Sequence, residues 1–311
     1  MKLQFLNTIP LEIISGGNIY NHHIIKGLIN AGHVVDYNQK PSHVNYDISI
    51  VDSLYMNTIN TSALDCNKPI VSLIHEIPKL DRATLLFFST YSKFVVTGAP
   101  IKQRLIENWN LKGENISLIR PGLAKYWSKK KQYNRQPRHI AIVANFIKLK
   151  GYDILIKLIT KLKHYDLEFT IIGNPTMDEN YANEIINAIT HLKAKVKFHF
   201  NVKNNEVYKH VIQSDIFLNL SQSESFGMAL FEALSIGIPS ISSKTGDYVY
   251  FNQFPNYYPL NDYAVTSFTN TILDWINNPI KYATYCKHFN KEFRTWPHVV
   301  NEFYKFLENI K

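Results

Sequence analysis

Apolar runs of strand length alternate with amphipathic segments of helix length almost throughout the chain, the pattern of parallel sheets built from strand–helix–strand units. In the N-terminal half the runs predict strands at 2–9, His33–Tyr37, Ile48–Val51, Pro69–His75, Lys93–Thr97 and Asn115–Ile119. Between the first two, Ile19–Asn30 sets Ile24, Ile25, Leu28 and Ile29 on one helical face and stops before Gly32, which suits the turn after a helix. Residues 120–138, RPGLAKYWSKKKQYNRQPR, break the pattern with two prolines, seven basic residues and no acidic ones. This stretch predicts the tail of one domain followed by a basic linker. A second series follows, with strands at His139–Phe146, Glu168–Ile172, Val196–Phe200, Asp215–Leu220 and Pro239–Ser242. Helices fall between them at Tyr152–Leu162, Glu179–Leu192, Asn205–Gln213 and from about Met228.

Composition agrees with two packed units. The 311 residues are 45% hydrophobic and 13% aromatic, which excludes a disordered tail or a disulfide scaffold. Cys66 and Cys286 lie far apart and make no metal or redox spacing, so zinc and iron–sulfur chemistry are excluded and a reducing compartment is expected. MKLQFLNTIP is too short an apolar run for a signal peptide, and no window approaches 18 uninterrupted apolar residues. The expectation is a cytoplasmic protein that touches a membrane only from outside, at its inner face.

Doubly wound sheets bind ligands beyond the C-terminal ends of their strands, so the loops after strands are where chemistry is sought. The most informative stretch is LSQSESFGMALFEALSIGIPSISS, residues 220–243. Glu224 precedes a helix and Glu232 lies about one turn into it, while the amides of Phe226, Gly227 and Met228 occupy the helix N-terminus, a ready anion site. A phosphate there, flanked by two acceptors for sugar hydroxyls, describes a nucleotide-sugar pocket. Two glutamates at this spacing alone also fit an amphipathic helix whose first acidic residue favours the dipole by about 0.3–1 kcal/mol.

The whole string resembles the signature of the retaining glycosyltransferases of family 4, which have the GT-B fold: E-x-F-G, then E-A, then G-x-P before a strand. Other motifs fall in the same order. Ser15-Gly16-Gly17 resembles the family's glycine loop, Gly32-His33-Val34 its G-H-x-V, and Ser72–Glu76 the segment carrying its active-site His75. Ile119–Leu123 resembles the turn closing the first domain. Ala144-Asn145-Phe146 with Lys150-Gly151 and Asp153 resembles the loop after the second domain's first strand, and Ile171-Ile172-Gly173 the end of the next strand. Phe293–Trp296, leading into Val299–Leu307, resembles the helix that crosses back to the first domain.

The resemblance implies an α/β, GT-B architecture, two Rossmann-like domains facing across a cleft. Residues 1–137 would form the acceptor-side domain, 138–290 the donor domain and 291–311 the returning helix. The implied activity is a retaining, metal-independent, hexosyltransferase-like transfer from a nucleoside diphosphate sugar, with UDP favoured over GDP and no cofactor. Glu232 would accept from ribose hydroxyls, and Glu224 would contact the transferred sugar with the amides of Phe226, Gly227 and Met228. Lys150 would pair with the diphosphate, Gly16 and Gly17 would bring amides to it, Asn145 and Gly173 would line the donor site, and His75 would contact the sugar. Taken singly, His75 also fits a hydrogen-bonded core histidine, and Lys150 a solvated side chain. His22 and His23, adjacent on the first helix, share no helical face for one metal.

Two departures stand out. Asn145 occupies the position where the family usually has an Arg, and KFHFN (197–201) lacks the usual glycine, which puts base contacts there in question. The Asn145 departure leaves a second alternative, a non-catalytic GT-B accessory subunit that binds a nucleotide or sugar. Charge separates the halves. The chain has 34 basic and 25 acidic residues; 17 and 9 of these lie in 1–138 and 17 and 16 in 139–311, balances of +8 and +1. The expected partner of the first half is therefore an anionic or lipid-linked glycan acceptor, as in glycolipid, lipopolysaccharide or polysaccharide synthesis, or an anionic membrane surface. The alternative for the basic stretch is a solvated linker. No recognition helix or aromatic RNA-binding signature accompanies the charge, so nucleic acid is not an expected partner.

Overall fold

The structure is a computed structural model that describes residues 1–7, 10, 13–38, 40–41, 45–128, 136–251, 256–287 and 293–311. The chain forms two compact units, Met1–Gly122 with Arg294–Lys311, and Leu123–Phe293. The end of the predicted strand 2–9 and the lysine-rich centre of the basic stretch, 129–135, lie outside the described residues.

The first unit runs β1 (Lys2–Leu6), α1 (Gly16–Asn30), β2 (Val34–Asn38), β3 (Ile48–Asp52), β4 (Ile70–Ile74), α2 (Arg82–Tyr91), β5 (Ser92–Val96), α3 (Ala99–Trp109) and β6 (Ile116–Leu118). Its six strands are all parallel, in the order β2-β1-β3-β4-β5-β6. Every residue of β3 and β4 is buried, as a sheet covered on both faces requires. The order reverses at β1, placing a switch point between β1 and β3. Helix α1 begins three residues before the expected Ile19, because Ser15 caps it: its Oγ accepts from the Asn18 amide at 3.2 Å.

The second unit repeats the plan with β7 (His139–Val143), α4 (Tyr152–Leu162), β8 (Glu168–Gly173), α5 (Glu179–His191), β9 (Lys195–Phe200), α6 (Asn204–Val211), β10 (Ile216–Asn219), α7 (Met228–Ser235), β11 (Ser240–Ser243) and β12 (Tyr257–Tyr258). Helices α8 (Ala264–Asn277) and α9 (Pro279–Lys287) complete it. The sheet is again parallel, ordered β12-β11-β10-β7-β8-β9, with its switch point between β7 and β10.

The chain then returns to the first unit through α10 (Trp296–Ile310), which packs on α1. The contact is close: a Cβ on Gly27 would stand 2.5 Å from Val300. Trp296 meets the edge of Tyr20 at 5.7 Å and stacks on His23 at 4.2 Å between centroids. His23 is thus a packing residue, and burial, with His22 and Lys26 nearby, lowers its pKa to about 4.

The units part at Gly122, earlier than the basic stretch suggested. Leu123 and Trp127 enter the core of the second unit, where Trp127 is 1% exposed, meets Tyr208 edge-on at 5.3 Å and accepts from Ser235 Oγ at its carbonyl. Two bulky apolar residues four apart outweigh the basic, proline-flanked context.

Candidate functional site

In the first unit, three chain segments converge at C-terminal strand ends. His75 follows β4, Asp52 ends β3, and Asn21 lies on α1, one turn after Gly17 and on its face. Asp52 and Asn21 are fully buried. Asn21 Nδ2 donates to Asp52 Oδ2 at 2.7 Å, and Asn21 Oδ1 lies 2.8 Å from His75 Nε2. Asp52 Oδ1 accepts from the Leu54 amide, and the His75 amide donates to Ser53 Oγ. Burial lowers the His75 pKa below the ordinary histidine value, and the Asp52 carboxylate opposes this less strongly. Gly17 makes room for the ring, since a Cβ there would stand 3.1 Å from His75 Cδ2. Tyr20, one residue before Asn21, closes the other side edge-on at 5.4 Å.

In the second unit the loop after β7 meets the loop after β10. The meeting depends on Gly151, whose φ of +70° is left-handed and whose absent Cβ would stand 2.1 Å from the Leu220 carbonyl oxygen. Gln222 donates its amide to the Leu149 carbonyl at 2.7 Å. Lys150 and Glu224, 74 residues apart, are thereby paired: Nζ lies 2.6 Å from Oε1, and each side chain is about one-fifth exposed. Ser221 Oγ donates to the same oxygen at 2.7 Å. The loop after β11 supports this one, with Gly246 at φ +65° against the Phe226 carbonyl and the Asp247 amide donating to it.

Gly227 is the N-cap of α7 at φ +99° and frames a helix start in the αL region that a side chain would strain. Among the described residues the amides of Phe226, Gly227 and Met228 donate to no protein group, as the first amides of a helix ordinarily do not. The Phe226 ring itself is buried against Phe231 and Phe251. Glu232, on the second turn of α7, is 8% exposed. Its burial pushes the carboxyl up to about 8, an effect that the neighbouring polar groups of Asn204 and Trp127 oppose less strongly. Tyr126 lies close enough that the carboxylate raises the phenol's pKa, after burial does.

The structure brings together Gly17 and His75, Lys150 and Glu224, and Glu224 with the start of α7. Asn145, in the loop after β7, is engaged by the loop after β8: its Oδ1 accepts from the Asn174 amide and its Nδ2 faces Met177 Sδ at 3.2 Å. Gly173 also has a packing reason, because a Cβ would stand 1.9 Å from the Ala144 carbonyl oxygen. Asn21, Asp52, Ser221, Asn204 and Trp127 are partners that sequence reasoning missed. For Asn21 a signal existed: a polar residue four after Gly17 on an otherwise apolar helix face. Among the described residues no cluster of three His, Cys, Asp or Glu side chains is arranged to hold a metal, and no helix is long and apolar enough to cross a membrane.

Residues 125–293 match the model of the family described as Glycosyl transferases group 1, just over half of the chain. The chain is 25% identical over 185 residues to a phosphatidylinositol N-acetylglucosaminyltransferase gpi3 subunit of Schizosaccharomyces pombe, covering 55% of this chain and 38% of that protein. It is 32% identical over 100 residues to the O-antigen biosynthesis glycosyltransferase WclY of Escherichia coli, 32% of this chain and 27% of that one. The matches therefore span less than half the length of these relatives. Among solved structures, Anabaena HepE in complex with UDP-glucose superposes with a TM-score of 0.80 at 16% identity, over 99% of this chain and 100% of that one. The two parallel six-stranded sheets are those of the GT-B fold.

Proposed function

The chain belongs to the group 1 glycosyl transferases, and on that premise we propose that it moves a sugar from a nucleoside diphosphate sugar, UDP before GDP, to an acceptor hydroxyl with retention of configuration and no required metal. The observation that carries the proposal is the second unit's array of Lys150, Glu224, the free amides at the start of α7 and the buried Glu232. A leaving diphosphate needs neutralisation and donors, and a lysine beside a helix N-terminus supplies both. Glu232 receives the ribose hydroxyls and Glu224 the transferred sugar; for the first unit taken by itself, His75 serves a sugar hydroxyl. Lys150 is held by Glu224, so a phosphate must compete for it.

The acceptor we propose is anionic or lipid-linked. Support comes from the +8 balance of residues 1–138 and from relatives named for a phosphatidylinositol and for O-antigen. Helix α2 adds exposed Leu86 one turn from basic Arg82, with Leu86 66% exposed, a pairing suited to peripheral contact with anionic lipid at a membrane's cytoplasmic face. Asn145, which puts no cation where the family usually has one, favours the second reading, a non-catalytic nucleotide- or sugar-binding subunit.

Isothermal titration with UDP, GDP and ADP tests the donor site, with UDP binding tightest; no binding of any of the three would refute it. Release of nucleoside diphosphate from a panel of nucleotide sugars then separates enzyme from accessory subunit.

A further inference from the structure

We propose that Asn21 and Asp52 are positioning residues that fix the tautomer and orientation of His75, so that its ring offers Nδ1 as a hydrogen-bond acceptor. The inference rests on the reading above in which His75 serves a sugar hydroxyl, and it adds the direction of that hydrogen bond and the residues that set it.

Asp52 is the fixed end of the chain of hydrogen bonds. Its carboxylate is fully buried at the end of β3, and its Oδ1 is already taken by the Leu54 amide. Oδ2 can only accept, so the Asn21 group 2.7 Å away must be the amide nitrogen, and this orientation excludes the flipped one. Asn21 then presents Oδ1 to His75 Nε2 at 2.8 Å. A carbonyl oxygen accepts, so Nε2 carries the proton. Asp52 Oδ2, 3.5 Å from the same nitrogen, favours a proton there as well. In the neutral ring Nδ1 is left as the acceptor.

Orientation is held as firmly as protonation. Gly17 lies against Cδ2 and Cγ, Tyr20 meets the ring edge-on, and the His75 amide is anchored on Ser53 Oγ. Asn21 is on α1 while Asp52 and His75 end neighbouring strands, so one helix and two strands fix one ring. Among the described residues, the charged or titratable groups facing the ring are Asp52 from β3, whose carboxylate favours a proton on Nε2, and Tyr20 from α1, which meets the ring edge-on. A sugar hydroxyl that meets Nδ1 must donate, and its oxygen is left free to accept from elsewhere.

The test has two arms. Nitrogen-15 NMR of histidine-labelled full-length protein reads the tautomer directly: the expected spectrum shows His75, assigned by its loss in His75→Gln, as the Nε2–H form, shifting toward Nδ1–H in Asp52→Ala, where the Asn21 amide is free to flip. An Nδ1–H ring in the parent protein would overturn the proposal whatever the enzyme does. In the second arm, Asn21→Ala lowers sugar transfer about ten- to a hundredfold while UDP affinity is unchanged, and Asn21→Ala/His75→Ala transfers no more slowly than His75→Ala alone. Additive losses would show that Asn21 acts otherwise than through His75. Failure of UDP to bind the parent, by contrast, would refute the donor-site reading and leave the tautomer result standing.

Discussion

Glu232 makes the stability of the second unit depend on pH in a direction opposite to most carboxylates. Its folded-state pKa of about 8 stands above the 4.5 of an unfolded chain, and the cause is burial on α7 beside Trp127. Below pH 4.5 both states hold the proton and no penalty exists. Between 4.5 and 8 the unfolded chain releases it while the folded chain keeps it, so stability falls as pH rises and levels off above 8. At 1.36 kcal/mol per pH unit the window corresponds to about 4–5 kcal/mol. Glu232→Gln keeps the volume and removes the titration, so it should match the parent near pH 4.5 and exceed it by several kcal/mol at pH 8. Urea unfolding at pH 5, 6, 7 and 8, followed by the fluorescence of buried Trp127 and Trp275, measures the difference, and differencing the two proteins cancels every other titrating group. Parallel pH profiles for parent and variant would refute the claim that this carboxyl is desolvated. The same substitution should weaken UDP binding most above pH 8, where the parent's carboxylate is ionised and the ribose hydroxyls lose a charged acceptor, giving a variant more stable and less competent.

Gly151→Ala combines a left-handed φ with a Cβ 2.1 Å from the Leu220 carbonyl oxygen, whereas Gly32→Ala has a left-handed φ of +86° and open space. Thermal melts should therefore show about 1 kcal/mol lost at Gly32 and several at Gly151; equal losses would mean the two loops of the second unit do not meet as described. Lys150→Ala should raise the UDP Kd about ten- to a hundredfold, as loss of a charge-assisted bond does, while Glu224→Gln, which releases Lys150, should leave UDP affinity equal or tighter and lower sugar transfer. A weaker UDP complex in Glu224→Gln, seen by titration calorimetry, would contradict the competition between Glu224 and phosphate for Lys150.

Much of this protein is legible in its residue order. The alternation of apolar runs with amphipathic segments determines the parallel sheets, because strands covered on both faces are apolar and their long crossovers are usually helices; α4 falls on Tyr152–Leu162 as the pattern predicts. The E-S-F-G string determines a loop ending at a left-handed helix cap, since only glycine enters that conformation without strain. Tertiary structure decided the rest. The start of α1 depended on the Ser15 cap, and the boundary between units on Trp127, whose burial outweighs the basic residues around it. Asn145, a phosphate-side candidate by position, is engaged by the Asn174 amide once β7 and β8 bring their ends together. The pairing of Lys150 with Glu224 and the chain from Asp52 through Asn21 to His75 join residues 74, 31 and 54 positions apart. A sequence states which residues can donate, accept or pack; sheet order, strand register and glycine-enabled close approach decide which of them meet.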